Sequence, residues 1–295
     1  MTETQPSRRS LFTGTKPAAT AALALASLAA TAQAQTPVAG PNPRARGLSD
    51  ADILNFALNL EYLETEYYLR ALTGQGLQAS RAGAAAGPVR GGRQVAFQTP
   101  VIREFVENIT RNESGHVNFL QSTLGAAAIS RPAIDFDAGF AAVSQAAGLG
   151  SFDPFASEDD FLLGSFLFED VGVTAYKGAA PLLRSRDILA AAASIHATEA
   201  YHMGAVRSLL FRKGPQSRSR AGRISDLRDQ LDGPTELDQG LEANGKANIV
   251  PTDSGGIAFS RTPQQVLNIV YGKPGQEVAS GAFYPDGVNG RIQTS

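Results

Sequence analysis

The chain has 295 residues, 43% of them hydrophobic, and a formal charge of −2 at pH 7. That is enough apolar material for one large domain, and the charge balance argues against a nucleic-acid binder. With no Cys, the chain can have no disulfides, thiolate metal sites or cysteine nucleophiles, and it has only three His.

The first 34 residues read as a targeting segment. Ser7-Arg8-Arg9-Ser10-Leu11-Phe12 resembles a twin-arginine export signal. The Ala-rich run from Ala18 to Ala30 is too short for a membrane span, and Ala32-Gln33-Ala34 offers a small-residue cleavage site. Removing residues 1–34 leaves 23 basic and 27 acidic residues, a formal charge of −4. The expectation is a periplasmic or extracellular protein with no stable membrane span after signal removal. Residues 35–48, rich in Pro, Gly and Arg, read as a linker.

A first helix is predicted from Ser49 as N-cap to about Thr73, ahead of Gly74. Two of its stripes are apolar. One runs Leu54, Leu58, Glu61, Thr65, Tyr68, Leu72, and the other Ile53, Ala57, Leu60, Glu64, Tyr67, Ala71. Either Glu61 or Glu64 therefore points inward, and Glu61 is preferred. Glu64 and Glu66 then lie beside the site or are solvated. The Gly-rich stretch 74–98 reads as a loop, with a short hairpin around Gly91-Gly92 between Pro88 and Phe97.

The second helix has Thr99 as N-cap, Pro100 at its first position and Gly125 past its end. Its stripe is Ile102, Val106, Ile109, Glu113, His116, Leu120, Leu124, so a Glu-x-x-His interrupts a core face. Residues 126–156 form a crossover with a short helix near Ala138 to Ala147. The third helix is capped by Ser157, carries the stripe Leu162, Phe166, Glu169, Val173, Tyr176, Ala180, and meets Pro181. Asp170 is expected to be exposed. The fourth runs from Ile188 to Leu209 with the stripe Ile188, Ala192, Ile195, Glu199, His202, Val206, Leu209. Beyond Gly214 the tail is sparse in periodic structure, with short helices expected at Ile224 to Leu231 and Pro263 to Tyr271. The rest is expected to wrap the bundle.

The four helices thus offer Glu, Glu-x-x-His, Glu and Glu-x-x-His on inward faces, an all-α four-helix bundle able to hold two metal ions. The expected ligands are Glu61, Glu113, His116, Glu169, Glu199 and His202. Four carboxylates balance two divalent cations, and oxygen and imidazole donors without thiolate favour iron or manganese, with zinc also compatible. No Lys or Arg on these stripes could pair with the carboxylates instead. His196, one turn before Glu199, reads as an ordinary half-buried histidine or as a partner of the ligands. Tyr68 and Tyr176 read as core aromatics with bonded hydroxyls, placed where a phenol could relay a proton or electron.

These motifs resemble a ferritin-like family that includes the plant desiccation-related proteins and exported bacterial relatives. Asn59-Leu60-Glu61-Tyr62-Leu63-Glu64 is similar to its opening signature, and the step from Glu61 to Tyr68 is similar to a Glu–Tyr pair of ferritins. Glu169 through Tyr176 resembles the bacterial branch. In the tail, Ser260-Arg261-Thr262-Pro263, Ile269-Val270-Tyr271-Gly272 and Gly281-Ala282-Phe283-Tyr284-Pro285 resemble the C-terminal segment of the desiccation-related members. The resemblance covers about residues 48–292 and implies a ferritin-like bundle linked to desiccation or oxidative stress. Two function classes follow: a dinuclear redox enzyme, oxidase or catalase-like, that reacts with oxygen or peroxide, and a non-catalytic metal-binding protective protein. A homo-oligomer is left open, and iron storage ranks third.

Overall fold

A computed structural model describes residues 47–295. The expected export signal, residues 1–34, and the linker up to residue 46 lie outside the described residues. Helix α1 spans Asp50–Thr73. The Ser49 hydroxyl accepts from the Asp52 amide while the Asp52 carboxylate accepts from the Ser49 amide, and Gly74, at φ 75°, ends the helix. After a short helix α2 (Ala79–Ala82), α3 runs Pro100–Leu124, and α4 (Phe136–Ala146) lies in the crossover. α5 spans Glu158–Ala179 and α6 Arg186–Arg212, with the hydroxyls of Ser157 and Ser185 as N-caps.

These four long helices are the ones the sequence predicts, and α6 extends a few residues past Ile188 and Leu209 at each end. The predicted hairpin at Gly91-Gly92 is absent. Instead Val89–Arg90 (β1) pairs in parallel with Ile134–Asp135 (β2). The partner strand comes from the crossover more than forty residues away, so no local pattern could reveal it.

Contacts along α1 set the direction of its neighbours. Asn55, near its start, bonds Ala127 and Ile129 beyond the end of α3, whereas the Ala71 carbonyl, near its end, accepts from Val95 before α3 begins. Tyr68 reaches Glu169 and Glu61 reaches Tyr176, so α5 also runs antiparallel to α1. Every residue from Ile53 to Tyr68 and from Phe161 to Tyr176 is buried, whereas α3 and α6 bury one face each. A helix enclosed on all sides has no solvent face to set the register of its stripes. This is why two registers of α1 look equally like a core face: both are core faces, and Glu61 and Glu64 are both buried.

The tail supplies the enclosure. α7 spans Pro215–Asp232, much longer than the Ile224 to Leu231 segment expected, because its first half is polar and buries only Ser217 and Ala221, which gives no apolar period to read. α8, Pro263–Tyr271, has the expected bounds and a Thr262–Gln265 capping box. Glu242–Ala243 (β3) and Lys246–Ala247 (β4) form a small antiparallel ladder. Phe283 lies so close over Gly139 that a Cβ there would strike its ring, and the Arg261 backbone crosses α5 at Gly178 just as tightly. Tyr284 donates its hydroxyl hydrogen to the Asn59 carbonyl at 2.8 Å, and Asn289 also bonds Asn59.

Buried charges fasten tail to bundle. Arg207 and Arg228 donate to Asp170 at 2.7 and 2.9 Å. Arg228 and Arg261 donate to Asp238 at 2.7 and 2.8 Å, and Arg261 donates to Asp232 at 2.7 Å. Asp170, expected on the surface, is therefore buried, its carboxylate stabilised by two guanidiniums. Glu66, read as lying beside the site or solvated, is also fully buried, paired with Arg70 and Arg131 and accepting from the Leu77 amide. Arg70 is one turn further along α1, but Arg131 and Leu77, which complete its enclosure, come from loops that local periodicity does not register.

Candidate metal centre

The turn spacing of α3 and α6 places Glu113 beside His116 and Glu199 beside His202, both pairs on the stripe facing the bundle axis. α1 brings Glu61 and α5 brings Glu169 to the same layer. All six side chains are buried, and His116 is the most exposed of them at 9%. His116 Nδ1 lies 3.2 Å from Glu61, 3.4 Å from Glu113 and 3.3 Å from Glu199. His202 Nδ1 lies 2.9 Å from Glu113 and 3.4 Å from Glu169.

Ligand atoms converge in two groups, each within 4.8 Å. One is Glu61, Glu113, His116 and Glu199, and the other is Glu113, Glu169, Glu199 and His202. Glu113 and Glu199 belong to both, so the two groups share a pair of carboxylates and each keeps one further Glu and one His. Every sequence-predicted ligand is thus in the cluster. Of the two α1 candidates, Glu61 is in a group and Glu64 is not. Glu64 sits next to it: a Cβ on Gly172 would come within 2.5 Å of Glu199 Oε2 and 3.3 Å of Glu64 Oε1. Gly172 is a functional position that sequence reading missed, although a Gly in mid-helix is itself a signal of close approach.

The residues fit a cation better than they fit one another. Both oxygens of Glu113 and of Glu199, Oε2 of Glu169 and Nδ1 of His202 have no hydrogen bond to any described residue, although charged partners lie near. Buried polar atoms are almost always satisfied, and six such atoms without a hydrogen bond in one cluster are a donor set that a bound cation would satisfy. The remaining valences are well satisfied. Tyr68 donates to Glu169 and Tyr176 to Glu61, both at 2.5 Å, and His202 Nε2 lies 3.1 Å from Asn112 Oδ1. These outer contacts fix the orientation of Glu169, Glu61 and His202, as such contacts do in metal sites. Both tyrosines are therefore more than core filling. Burial and the adjoining carboxylates push their hydroxyl pKa values well above 10.

Electrostatics agree. Burial and neighbouring carboxylates raise Glu64 and Glu199 well above the usual range, and burial lifts Glu61 to about 7. Burial would raise Glu113 too, yet the two imidazoles beside it hold it well below its ordinary value. Burial opposes charge on His202, but Glu169 and Glu113 push it up to about 11, and His116 moves the same way under Glu61. Without a cation, protons must do the neutralising.

His196 is half-buried and its ring bonds the Val173 backbone, away from the six converging residues. It lines a separate cavity behind α5 and α6.

Comparison with known proteins agrees with this architecture. The pattern of the family described as ferritin-like domain matches residues 49–212. A ferritin-like catalase of Nesocodon mauritianus is 29% identical over 266 residues, 83% of this chain and 85% of its own length. A desiccation-related protein of Craterostigma plantagineum is 32% identical over 241 residues, 74% of this chain and 76% of its own.

Proposed function

The chain belongs to the ferritin-like domain family, and from that premise we propose that Glu61, Glu113, His116, Glu169, Glu199 and His202 hold two iron or manganese ions for catalase-like removal of peroxide. Export by the twin-arginine route, with a stress-protective role outside the cytoplasm, is part of the same reading. The observation that carries the metal reading is the pair of overlapping four-residue groups with six unpartnered buried atoms. The peroxide reading draws on the similarity to a protein named as a catalase.

Bound iron or manganese would supply the exchange of electrons with the oxidant. The chain's own part is to position and to handle protons. Tyr176 and Tyr68 each hold one oxygen of Glu61 and Glu169; the other oxygen of Glu169 is free, and that of Glu61 lies 3.2 Å from His116 Nδ1. Asn112 fixes the His202 ring so that Nδ1 faces the cluster. Glu64 is buried beside Glu199, and burial and the surrounding carboxylates make it hold a proton more tightly than a free carboxyl while the site has no cation. Glu64 also lines a cavity of about 20 Å³ walled by Leu60, Leu63, Val171 and Phe283. That volume admits a molecule the size of water and little more, so it selects a small oxidant and excludes organic substrates.

A second reading is a metal-stabilised protective protein without turnover. It is favoured by the tail aromatics Phe283 and Tyr284, which are fully buried and close the α1–α5 flank. Zinc, which does not change oxidation state, would serve that role equally. Metal content by elemental mass spectrometry, with oxygen release from peroxide measured on the same sample, separates them. Two redox metals per chain with oxygen release is the expected result. Two metals without turnover favours the protective reading, and no metal after reconstitution overturns both.

A further inference from the structure

The cluster repeats itself across the bundle. Tyr68 stands two turns beyond Glu61 on α1, and Tyr176 stands two turns beyond Glu169 on α5. Each tyrosine reaches the other helix's glutamate, Tyr68 to Glu169 and Tyr176 to Glu61, both at 2.5 Å. α3 and α6 repeat the Glu-x-x-His in the same way. Such a repeat by itself would give the two groups of ligand atoms equal surroundings.

The outer nitrogens of the two imidazoles break the repeat. The residue before each Glu-x-x-His is Asn112 on α3 and Thr198 on α6. Asn112 crosses to His202, its Oδ1 3.1 Å from Nε2. An amide oxygen can only accept, so a neutral His202 ring keeps its hydrogen on Nε2. Its lone pair is then on Nδ1, which faces Glu113 and Glu169.

Thr198 gives His116 no such partner. It is one bond shorter than Asn, and its hydroxyl donates back to the Ser194 carbonyl at 3.2 Å. His116 Nε2 bonds no described residue, and it is not among the enclosed unpartnered atoms, so it meets solvent. The His116 side chain is 11% exposed, against 5% for His202 and 0% for Glu61, Glu113, Glu169 and Glu199. Glu64 and Gly172, each one turn past its helix's ligand, are also unlike. Glu64 belongs to neither group and lies beside Glu199, which both groups share.

A partner on the second nitrogen of a ligating imidazole is worth about ten- to a hundredfold in metal affinity. We infer that the two metal positions are unequal. The group of Glu113, Glu169, Glu199 and His202 holds its ion the more tightly. The group of Glu61, Glu113, His116 and Glu199, beside solvent, fills second and empties first. Asn112 is the positioning residue behind the difference, acting only through His202. The inference rests on the ligand set proposed above, and its test separates the two.

Manganese titration of the full folded protein, started metal-free and kept anaerobic, reads the two binding steps when free Mn²⁺ is counted by paramagnetic resonance. Two neighbouring cations repel, so unequal steps alone do not reveal unequal positions; the variants do. N112A should weaken the tight step about tenfold. N112D, which keeps an oxygen within reach of Nε2, should retain it. With equal positions the first ion would settle on the untouched His116 side, and N112A would leave the tight step in place. If N112A does not fold, H202Q decides. It should weaken the tight step about tenfold, whereas H116Q should spare that step and remove the weaker one. A tight step unchanged in N112A or H202Q, lost equally in H116Q, or lost in N112D overturns the inference and leaves the ligand set standing. A protein that takes up no manganese overturns both.

Discussion

Glu169 and Asp170 are neighbours on α5, both buried, and they face two different charge clusters. Asp170 belongs to the network of three arginines and three aspartates that joins α5, α6, α7 and the tail. There each carboxylate meets at least one guanidinium, and the pairs lie between 2.7 and 2.9 Å. Glu169 belongs to a cluster with four other carboxylates and only two imidazoles, in which six polar atoms have no hydrogen bond to any described residue. The first cluster is balanced in charge, three guanidiniums against three carboxylates, although Asp170 Oδ1, Asp232 Oδ1 and Arg228 Nε have no hydrogen bond among the described residues. The second has an excess of acceptors converging on one region. Burial alone therefore does not mark a functional site; imbalance within it does.

The largest effect expected from breaking this contrast is in the balanced network. R228M would leave Asp170 and Asp238 facing each other with one guanidinium fewer in a dry environment, a loss of about 3–5 kcal/mol. Denaturant melts should show that loss equally with and without bound metal. A loss seen only in the metal-loaded protein would mean the network serves the metal site rather than the fold.

The open cluster should respond in the opposite way. E113Q combined with E199Q removes the two shared carboxylates and so should abolish metal binding. In chelator-treated protein E199Q alone should melt no lower than the parent, because burial and the neighbouring carboxylates already penalise a charged Glu199, whereas E113Q also takes from His116 and His202 the carboxylate that pairs with them. Wild-type protein should gain about 3 kcal/mol when free metal stands at a hundred times its dissociation constant, and the double variant none. Two metals retained per chain in the variant would show that the ligand set is wrong.

A smaller effect is a pH slope. In metal-free protein Glu61 titrates near 7 folded and near 4.5 unfolded, so its stabilisation is full below pH 4.5 and is lost as pH rises through 7. Glu64, Glu169 and Glu199 are raised and carry the same sign. His202, raised to about 11, also loses stabilisation as pH climbs above 6.5. Glu113 has the opposite sign, but its contribution is lost only as pH falls well below 4.5. In the balanced network Asp232, raised by burial to about 6, adds the same downward slope below that pH. Metal-free protein should therefore lose stability from pH 5 to 8. Metal affinity rises over the same range as protons stop competing for the ligands. The gap between loaded and chelated melting temperatures should widen steadily, and a constant gap would count against the cluster as the metal site.

How far each cluster could be read from sequence follows from where its residues lie. The Glu and Glu-x-x-His positions fall on helical stripes, so 3.6-residue periodicity exposes them one helix at a time. Capping residues such as Ser49 and Ser157 and the Gly74 terminator set the helix bounds in the same local way. Arg207, Arg228 and Arg261 lie on three separate segments, and their partner Asp170 sits beside a ligand on a helix buried all round. Nothing local distinguishes such an Asp from a solvated one, so it reads as exposed. The parallel pairing of Val89–Arg90 with Ile134–Asp135 was hidden for the same reason.

The finest test of the contrast is a single methyl group at Gly172. In an ordinary helix interior Gly→Ala stabilises by about 1 kcal/mol, since alanine loses less backbone freedom on folding. Here the new Cβ would stand 2.5 Å from Glu199 Oε2 and 3.3 Å from Glu64 Oε1, so the Glu199 carboxylate must move. That carboxylate ends a flexible side chain and has no hydrogen bond among the described residues to lose, so moving it takes little from the metal-free fold. Chelator-treated G172A should thus melt at or above the parent. It should also bind metal more weakly, because a shared ligand has left its place in both groups. Both quantities can be read from melting curves taken across a metal titration. If affinity is unchanged while stability rises, Glu199 does not hold the shared position, and the symmetry of the two groups about Glu113 and Glu199 is lost with it.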